Sequence, residues 1–271
     1  MLKRTRIALL FGVALAITLI ISACGSSTTT GNGTTSGGGS TPTTLGTPGS
    51  YNCIQGSITA SGSTALAPLV KAVATQYSSK CSGATITVNL GGSKTGLANV
   101  EAGSVDIGDS DIPAASTQSD LVDHQVAVVV FGIIVNKDVT LTNITTAQLK
   151  QIYSGQVKNW SALGGPNLPI VVVSRPASSG TRATFQKYIL GGPETVSGPS
   201  SLTTDSTGTV VTEVGQTNGS IGYAATGPVQ GNSSVTLLSI DGVAPTSANT
   251  QSNAYKFWNI EHMYTKGQPK P

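Results

Sequence analysis

The sequence predicts an α/β fold, and three observations carry that prediction. Short β-branched runs alternate with segments of helical periodicity from about residue 54 onward. One run, QVAVVVFGIIVN (125–136), is apolar for long enough to be a central strand covered on both faces. Gly, Ser and Thr gather where strand patterns give way to helical ones, which is the layout of βα units.

Taken in order, a first strand-like run begins at Ile54 and ends in Ile58-Thr59-Ala60. Thr64 to Lys80 follows as a helix, with a stripe of Leu66, Leu69, Val70, Val73 and Tyr77. ATITVNL (84–90) is a β-branched strand, Thr95 to Ala102 a short helix, and VDIG (105–108) a short buried strand. After the long strand, Thr146 to Tyr153 is helical, PIVVV (169–173) is a strand, and Thr181 to Leu190 is a helix. Thr207 to Gln216 is helical, and SIGYAA (220–225) and SVTLLSI (234–240) are strands. No internal repeat interrupts this alternation.

The region before residue 51 has a different character. Lys3, Arg4 and Arg6 precede an uncharged apolar stretch, Ile7 to Ser22, shorter than the roughly 20 residues of a membrane-spanning helix. Residues 1–23 are therefore expected to be a signal peptide, and Ile21-Ser22-Ala23-Cys24 resembles a lipoprotein processing site with Cys24 acylated. A plain signal peptide or an uncleaved anchor is the alternative. Either way the body of the protein is expected outside the cytoplasm. Residues 24–50 contain no charge and almost no apolar side chain, so they read as a flexible tether that cannot bury enough surface to order itself.

Loss of Lys3, Arg4 and Arg6 takes fifteen basic residues to twelve, matching twelve acidic ones. A neutral chain with 10% charged residues, against roughly 25% in typical proteins, carries no electrostatic footprint for nucleic acid. Cys53 and Cys81 are the remaining cysteines, an even pair in an oxidising compartment, each just ahead of a strand. A disulfide is expected if those strands are parallel neighbours, with two reduced buried thiols as the alternative.

Four junctions share one composition: SGSTALAP (61–68), GGSKTGL (91–97), GDSDIP (108–113) and SRPASSGT (174–181). In open parallel sheets, ligands sit at the carboxyl ends of the strands. A helix start offers free backbone N–H groups and partial positive charge, which suits an anion. Ser and Thr at such places are also ordinary helix caps. Taken singly, each junction fits a cap; four together with Arg175 point to a binding site. Asp111 alone fits a turn residue before Pro113, Arg175 a surface ion pair, and Gly180 relief of a tight turn.

In that order and at those spacings, SGSTALAPLV, GGSKTGL, VDIGDSDIP, IYSGQVKNW and SRPASSGTRATF resemble the PstS family, the phosphate-binding proteins of ABC-type phosphate importers. The resemblance runs from about Ile58 to Tyr223. It implies a two-lobe, hinge-connected periplasmic-binding-protein-like fold of type II. Lobe I would take residues 51–129 and 222–271, and lobe II residues 130–221. It implies inorganic phosphate as ligand, a permease pair and an ATPase as partners, a monomer on a lipid anchor, and no cofactor, metal or catalysis. The implied ligand set is Thr64 with the Ala65 N–H, Ser93, Asp111, Arg175, Ser179, the Gly180 N–H and Thr181, with Ser63 as an additional contributor. Asp111 would accept the proton of monohydrogen phosphate and so disfavour sulfate. Trp160 is expected as an aromatic core residue.

Two positions depart from the family pattern. Lys94 follows Ser93, as a second cation near the site or a solvent-facing residue, and Asp109 is expected to point away from the ligand. The part from 226 to 271 matches least. Receptors for other oxyanions such as sulfate or molybdate, and a surface phosphate-sensing or adhesion lipoprotein, remain alternatives. A hydrolase is disfavoured, because the sequence has no Gly-x-Ser-x-Gly elbow and only His124 and His262, with His124 expected in a loop or at the surface.

Overall fold

The computed structural model describes residues 53–198 and 201–269. The expected signal peptide, the acylated Cys24 and the tether lie outside the described residues.

The chain alternates strands and helices. β1 (Gly56–Gly62), α1 (Ala67–Lys80), β2 (Ala84–Leu90), α2 (Ser93–Glu101) and β3 (Ile107–Ser110) make the first βα units. β1 lies between β2 and β3 and runs parallel to both. Gly56 of β1 faces Ala84 of β2, which brings the two strand starts side by side, and Cys53 is disulfide-bonded to Cys81 there. The pair closes a 28-residue separation, worth about 3–4 kcal/mol in a chain-entropy picture.

β4 (Leu121–Asn136) is the longest strand, and its two ends join different sheets. Residues 121–130 pair antiparallel with β10 (Trp258–Lys266), which continues to β3. Residues 131–136 pair with β8 (Ser220–Ala225) and β9 (Val235–Ile240). β8 leads on to β6 (Val171–Ser174) and β7 (Ser201–Thr203), while β9 also pairs the short β5 (Asn143–Ile144). The result is two α/β half-sheets sharing one strand, the expected two-lobe architecture. The grouping of 222–271 with 51–129 differs from this pairing: β8 and β9 lie with the second half of β4, and the chain rejoins the first half-sheet only at β10.

Local sequence explains the second half well. α3 (Thr146–Tyr153) begins with a reciprocal cap between Thr145 and Gln148. α5 (Thr207–Gln216) is capped by Ser206 and buries Val210, Val211 and Val214. α4 (Gly180–Phe185) is capped by Ser179 and runs on through a wider turn to Leu190. The main core joins β4, β6, β8 and these helices around Phe131, Tyr153, Trp160, Phe185, Tyr223 and Phe257. Trp160 is fully buried, as expected, and its indole N–H donates to the Gly219 carbonyl at 2.8 Å. A short helix, α6 (Ser247–Gln251), precedes the return to β10.

Three details depart from the sequence reading. The stripe on α1 is only partly buried: Leu66, Val70 and Ala74 pack inward, while Leu69 and Val73 stay exposed, because α1 packs at the β2 edge of the sheet. His124 lies within β4, not in a loop, with Nε2 3.1 Å from Thr265 Oγ1. β10 follows no pattern read from the sequence, since WNIEHMYTK mixes polar and aromatic residues without alternation.

Candidate functional site

All four Ser/Thr-rich junctions lie at the carboxyl ends of parallel strands, after β1, β2, β3 and β6, and they meet. The loop after β1 places Ser63 and Thr64 under the first turn of α1. Ser63 Oγ accepts from the N–H groups of Ala65 and Leu66, at 3.1 and 3.0 Å, and donates to Asp111 Oδ1. The Ala65 N–H is thus already engaged by its neighbour. After β2, Gly92 adopts φ +84, and Ser93 opens α2 with its hydroxyl accepting from the Asp111 N–H at 2.9 Å.

Asp111 is 2% exposed. Its carboxylate caps no local amide. Instead Oδ2 accepts from Thr181 Oγ1 at 2.9 Å, a contact spanning 70 residues, while Oδ1 takes Ser63. Its backbone carbonyl accepts from Asn259 of β10 at 2.6 Å. The turn-residue alternative for Asp111 therefore does not describe its side chain.

Arg175 is 1% exposed, which removes the surface ion-pair alternative. One nitrogen, Nη2, donates to Thr64 Oγ1 at 2.9 Å and to the Asp205 carbonyl at 3.3 Å. Nε and Nη1 have no hydrogen-bond partner among the described residues. Burial pulls this guanidinium down from its ordinary value, with Tyr223, Asp111 and Asp205 acting in the opposite sense. An arginine stays charged in any case. A buried cation with two unused donors costs several kcal/mol unless an anion joins it.

Around Arg175 the second half-sheet is stiffly built. Arg182 Nη1 donates to the Arg175 carbonyl at 2.6 Å, and Arg182 pairs with Glu194 at 3.5 Å. Glu194 also accepts from Ser174 Oγ and, at 2.6 Å, from Tyr223 OH. This buried network fixes the end of β6 from which Arg175 projects.

Ser179 caps α4 through its Oγ, and Gly180 and Thr181 form the first turn, whose N–H groups have no partner within the helix. Gly180 is required by proximity. A Cβ there would press on Ser93 Oγ and come within 2.9 Å of Asp111 Cβ. Beside it, the Lys94 N–H donates to the Ser178 carbonyl at 3.0 Å. The Lys94 side chain is exposed.

The structure thus brings together Ser63, Thr64, Ser93, Asp111, Arg175, Gly180 and Thr181, with Ala65 and Ser179 beside them. It adds groups that the sequence reading missed. Thr207, first residue of α5, donates its N–H to Thr64 Oγ1 at 3.1 Å, and the two hydroxyl oxygens are 3.1 Å apart. Its signal was present: DSTG (205–208) is a fifth junction of the same composition, following β7. Asp109 is buried and lies against Asp111 instead of reaching solvent. Glu261 of β10, also buried, interacts with both acids. Chemically, one guanidinium, several hydroxyl donors and one acceptor carboxylate form a small polar enclosure suited to an oxyanion that carries a proton. Among the described residues, no group of His, Cys, Asp or Glu is placed to hold a metal ion.

A family model for the PBP superfamily domain matches residues 28–271. The chain is 45% identical to the phosphate-binding protein PstS of Bacillus subtilis over 79% of its length and 71% of that protein. Its fold is similar to a crystal structure of a candidate phosphate ABC transporter substrate-binding protein with bound phosphate from Clostridium perfringens. That likeness has TM-score 0.72 and 30% identity, covering 78% of this chain and 86% of the other. It is also similar to an ABC-type phosphate transport receptor from Vibrio cholerae, with TM-score 0.61 and 28% identity over 78% and 87% of the two chains.

Proposed function

Because the chain belongs to the PBP superfamily and, within it, to the PstS phosphate-binding family, we propose that it captures inorganic phosphate and delivers it to the permease pair and ATPase of an ABC importer. The observation that carries this reading is the pairing, in one buried enclosure, of an under-satisfied guanidinium with an acceptor carboxylate. Arg175 Nε and Nη1 supply charge and two donors, and Asp111 supplies the acceptor. This is receptor chemistry and not catalysis.

The proposed ligand set is Thr64, Ser93, Asp111, Arg175, Ser179, Gly180 and Thr181, with Thr207 added, and Ala65 joins it by turning its N–H from Ser63 Oγ to the ligand. Arg175 neutralises the anion through charge-assisted bonds. The Ser179 hydroxyl and the first-turn N–H groups of α4 donate from the same side. Ser63 serves mainly as a support, since its donor is turned to Asp111 and its acceptor to α1. Asp111 selects. It accepts a bond from a protonated oxyanion, whereas sulfate, without a proton at neutral pH, brings it only a like charge and an unmade bond.

The proposed lobes meet at two crossings. One is within β4, between Val130 and Phe131, where its partner changes from β10 to β8. The other is between α6 and β10. Asp111 and Ser93 then come from one lobe, and Arg175, Gly180 and Thr181 from the other, so ligand binding closes the hinge. We further propose an extracytoplasmic monomer held at the membrane through acylated Cys24 and the 24–50 tether. Among the described residues, no helix is long and apolar enough to cross a membrane.

The test is selectivity. By isothermal titration at neutral pH, Asp111→Asn should gain sulfate binding by about 10-fold or more while losing phosphate affinity, because an amide can donate to a fully ionised oxyanion. Unchanged preference in that variant would remove Asp111 from the selecting role. Molybdate or sulfate binding as tightly as phosphate to the natural protein would favour a receptor for another oxyanion.

A further inference from the structure

Behind Asp111 stand two acids that receive no hydrogen bond from an N–H or hydroxyl donor among the described residues. Asp109 and Glu261 are 1% and 2% exposed, and none of their four carboxylate oxygens has a donor among the described residues. Their position is built into the sheet. β10 runs antiparallel to β3, with Met263 opposite Asp109 and His262 opposite Ser110. The next step of that register sets Glu261 opposite Asp111. Where β10 pairs with β4 the register shifts between Glu261 and His262, which face Ala127 and Gln125, and both of these consecutive β10 residues are buried. Three carboxyl groups therefore crowd one spot, and Ser63 and Thr181 donate only to Asp111.

Buried carboxylates in contact cannot all ionise. Hydroxyl donors reach only Asp111, through Ser63 and Thr181, and none reaches Asp109 or Glu261 among the described residues. Burial first, and then Asp111, push Glu261 up to about 10, with Asp109 adding a smaller push. The same two influences raise Asp109 to about 7. A protonated carboxyl is a donor, and Asp111 is the acceptor beside it.

We propose that Glu261 is a positioning residue of the oxyanion site: it holds a proton, directs that O–H at Asp111, and keeps Asp111 the anion that accepts the ligand's own proton. This rests on the phosphate reading above. The other charged and titratable groups around the cluster are few. Arg175 faces Asp111 from the loop after β6, with Arg182 of α4 on its carbonyl. On β10 and β4, His262 binds Asp123 at 2.8 Å and stacks on Tyr264, and His124 is nearby in sequence. On α2, Lys94 and Glu101 are exposed. β1 contributes no ionisable side chain. All of these are unchanged by a substitution at Glu261, so the difference between variants isolates it.

The sign follows from linkage. The protonated form of Glu261 is the binding form, so its contribution to affinity is present below about pH 10 and is lost as pH rises through it, while Asp109, raised to about 7, ionises lower and does so in both proteins compared below. Between the second and third ionisations of phosphate the ligand's charge is constant, so the fall reports the protein. Phosphate titrations of the natural protein and Glu261→Gln should be run from neutral pH to beyond pH 10. The glutamine keeps a donor and cannot ionise. Its affinity should stay within about threefold of the natural protein at neutral pH and remain above it in alkali, where the natural protein alone loses about tenfold per pH unit. An identical alkaline loss in both proteins, or a loss of more than about tenfold in Glu261→Gln at neutral pH, overturns the proposal. Difference infrared spectra at neutral pH give an independent reading. They should show a protonated-carboxyl band lost in Glu261→Gln, and a lost carboxylate band instead also overturns it. A natural protein that binds no phosphate at all refutes the phosphate reading, while the infrared band still reports the proton on Glu261.

Discussion

At the scale of single residues, the proposed site divides its work between Arg175 and Asp111. Arg175 offers two buried nitrogens without a partner among the described residues, so its removal would forfeit proposed charge-assisted bonds worth about 1.5–3 kcal/mol each. Arg175→Ala should weaken phosphate binding by at least about 100-fold in calorimetric titration, with a far-ultraviolet circular dichroism spectrum like that of the natural protein. Gly180 matters for what it lacks. Its backbone lies against Ser93 Oγ and Asp111 Cβ, so a methyl group there must push the α4 start away from the loops after β2 and β3. Gly180→Ala should lower affinity by about tenfold or more; retention of full affinity would mean that this close approach is not part of the bound form. These roles were legible in part. Asp111 and Arg175 stood out as lone charges in Ser/Thr-rich junctions of a charge-poor chain. Glu261 did not, because its importance comes from a strand register 150 residues away in sequence from the loop it supports.

At the scale of elements, what the sequence announced depended on whether local chemistry or distant pairing decided the outcome. α3 and α5 were readable to the residue because Thr145–Gln148 and Ser206 cap them and their apolar residues repeat at helical spacing. β8 was readable because SIGYAA is small, apolar and bounded by turns. The strand read from Gln125 begins earlier, at Leu121, and includes His124, because β10 pairs with these residues. β10 itself buries Glu261 and His262, which no periodicity argument assigns to a core. The disulfide was legible from the two strand starts it joins. It lies at the amino ends of β1 and β2, away from the site at the carboxyl ends. Replacing both cysteines by serine should cost about 3 kcal/mol in denaturant unfolding and leave phosphate affinity within about twofold. A large loss of affinity would mean that the first half-sheet transmits strain from one end to the other.

At the scale of the whole molecule, two half-sheets sharing β4 explain how a charge-poor chain would make the proposed anion site. Neither half-sheet holds the full set. One presents Thr64, Ser93 and Asp111; the other presents Arg175, Ser179, Gly180, Thr181 and Thr207. The helix starts that carry them converge because parallel strands place their carboxyl ends on one side of a sheet. In the proposed mechanism, closure desolvates one guanidinium and one selecting carboxylate together, which would give specificity for a protonated oxyanion over its unprotonated analogue. The central claim is tested most directly by titrating the purified natural protein with phosphate at neutral pH, alone and in a large excess of sulfate. The account predicts stoichiometric one-site binding that sulfate reduces by less than about twofold. Absence of a phosphate signal, or its displacement by sulfate at comparable concentration, would contradict it.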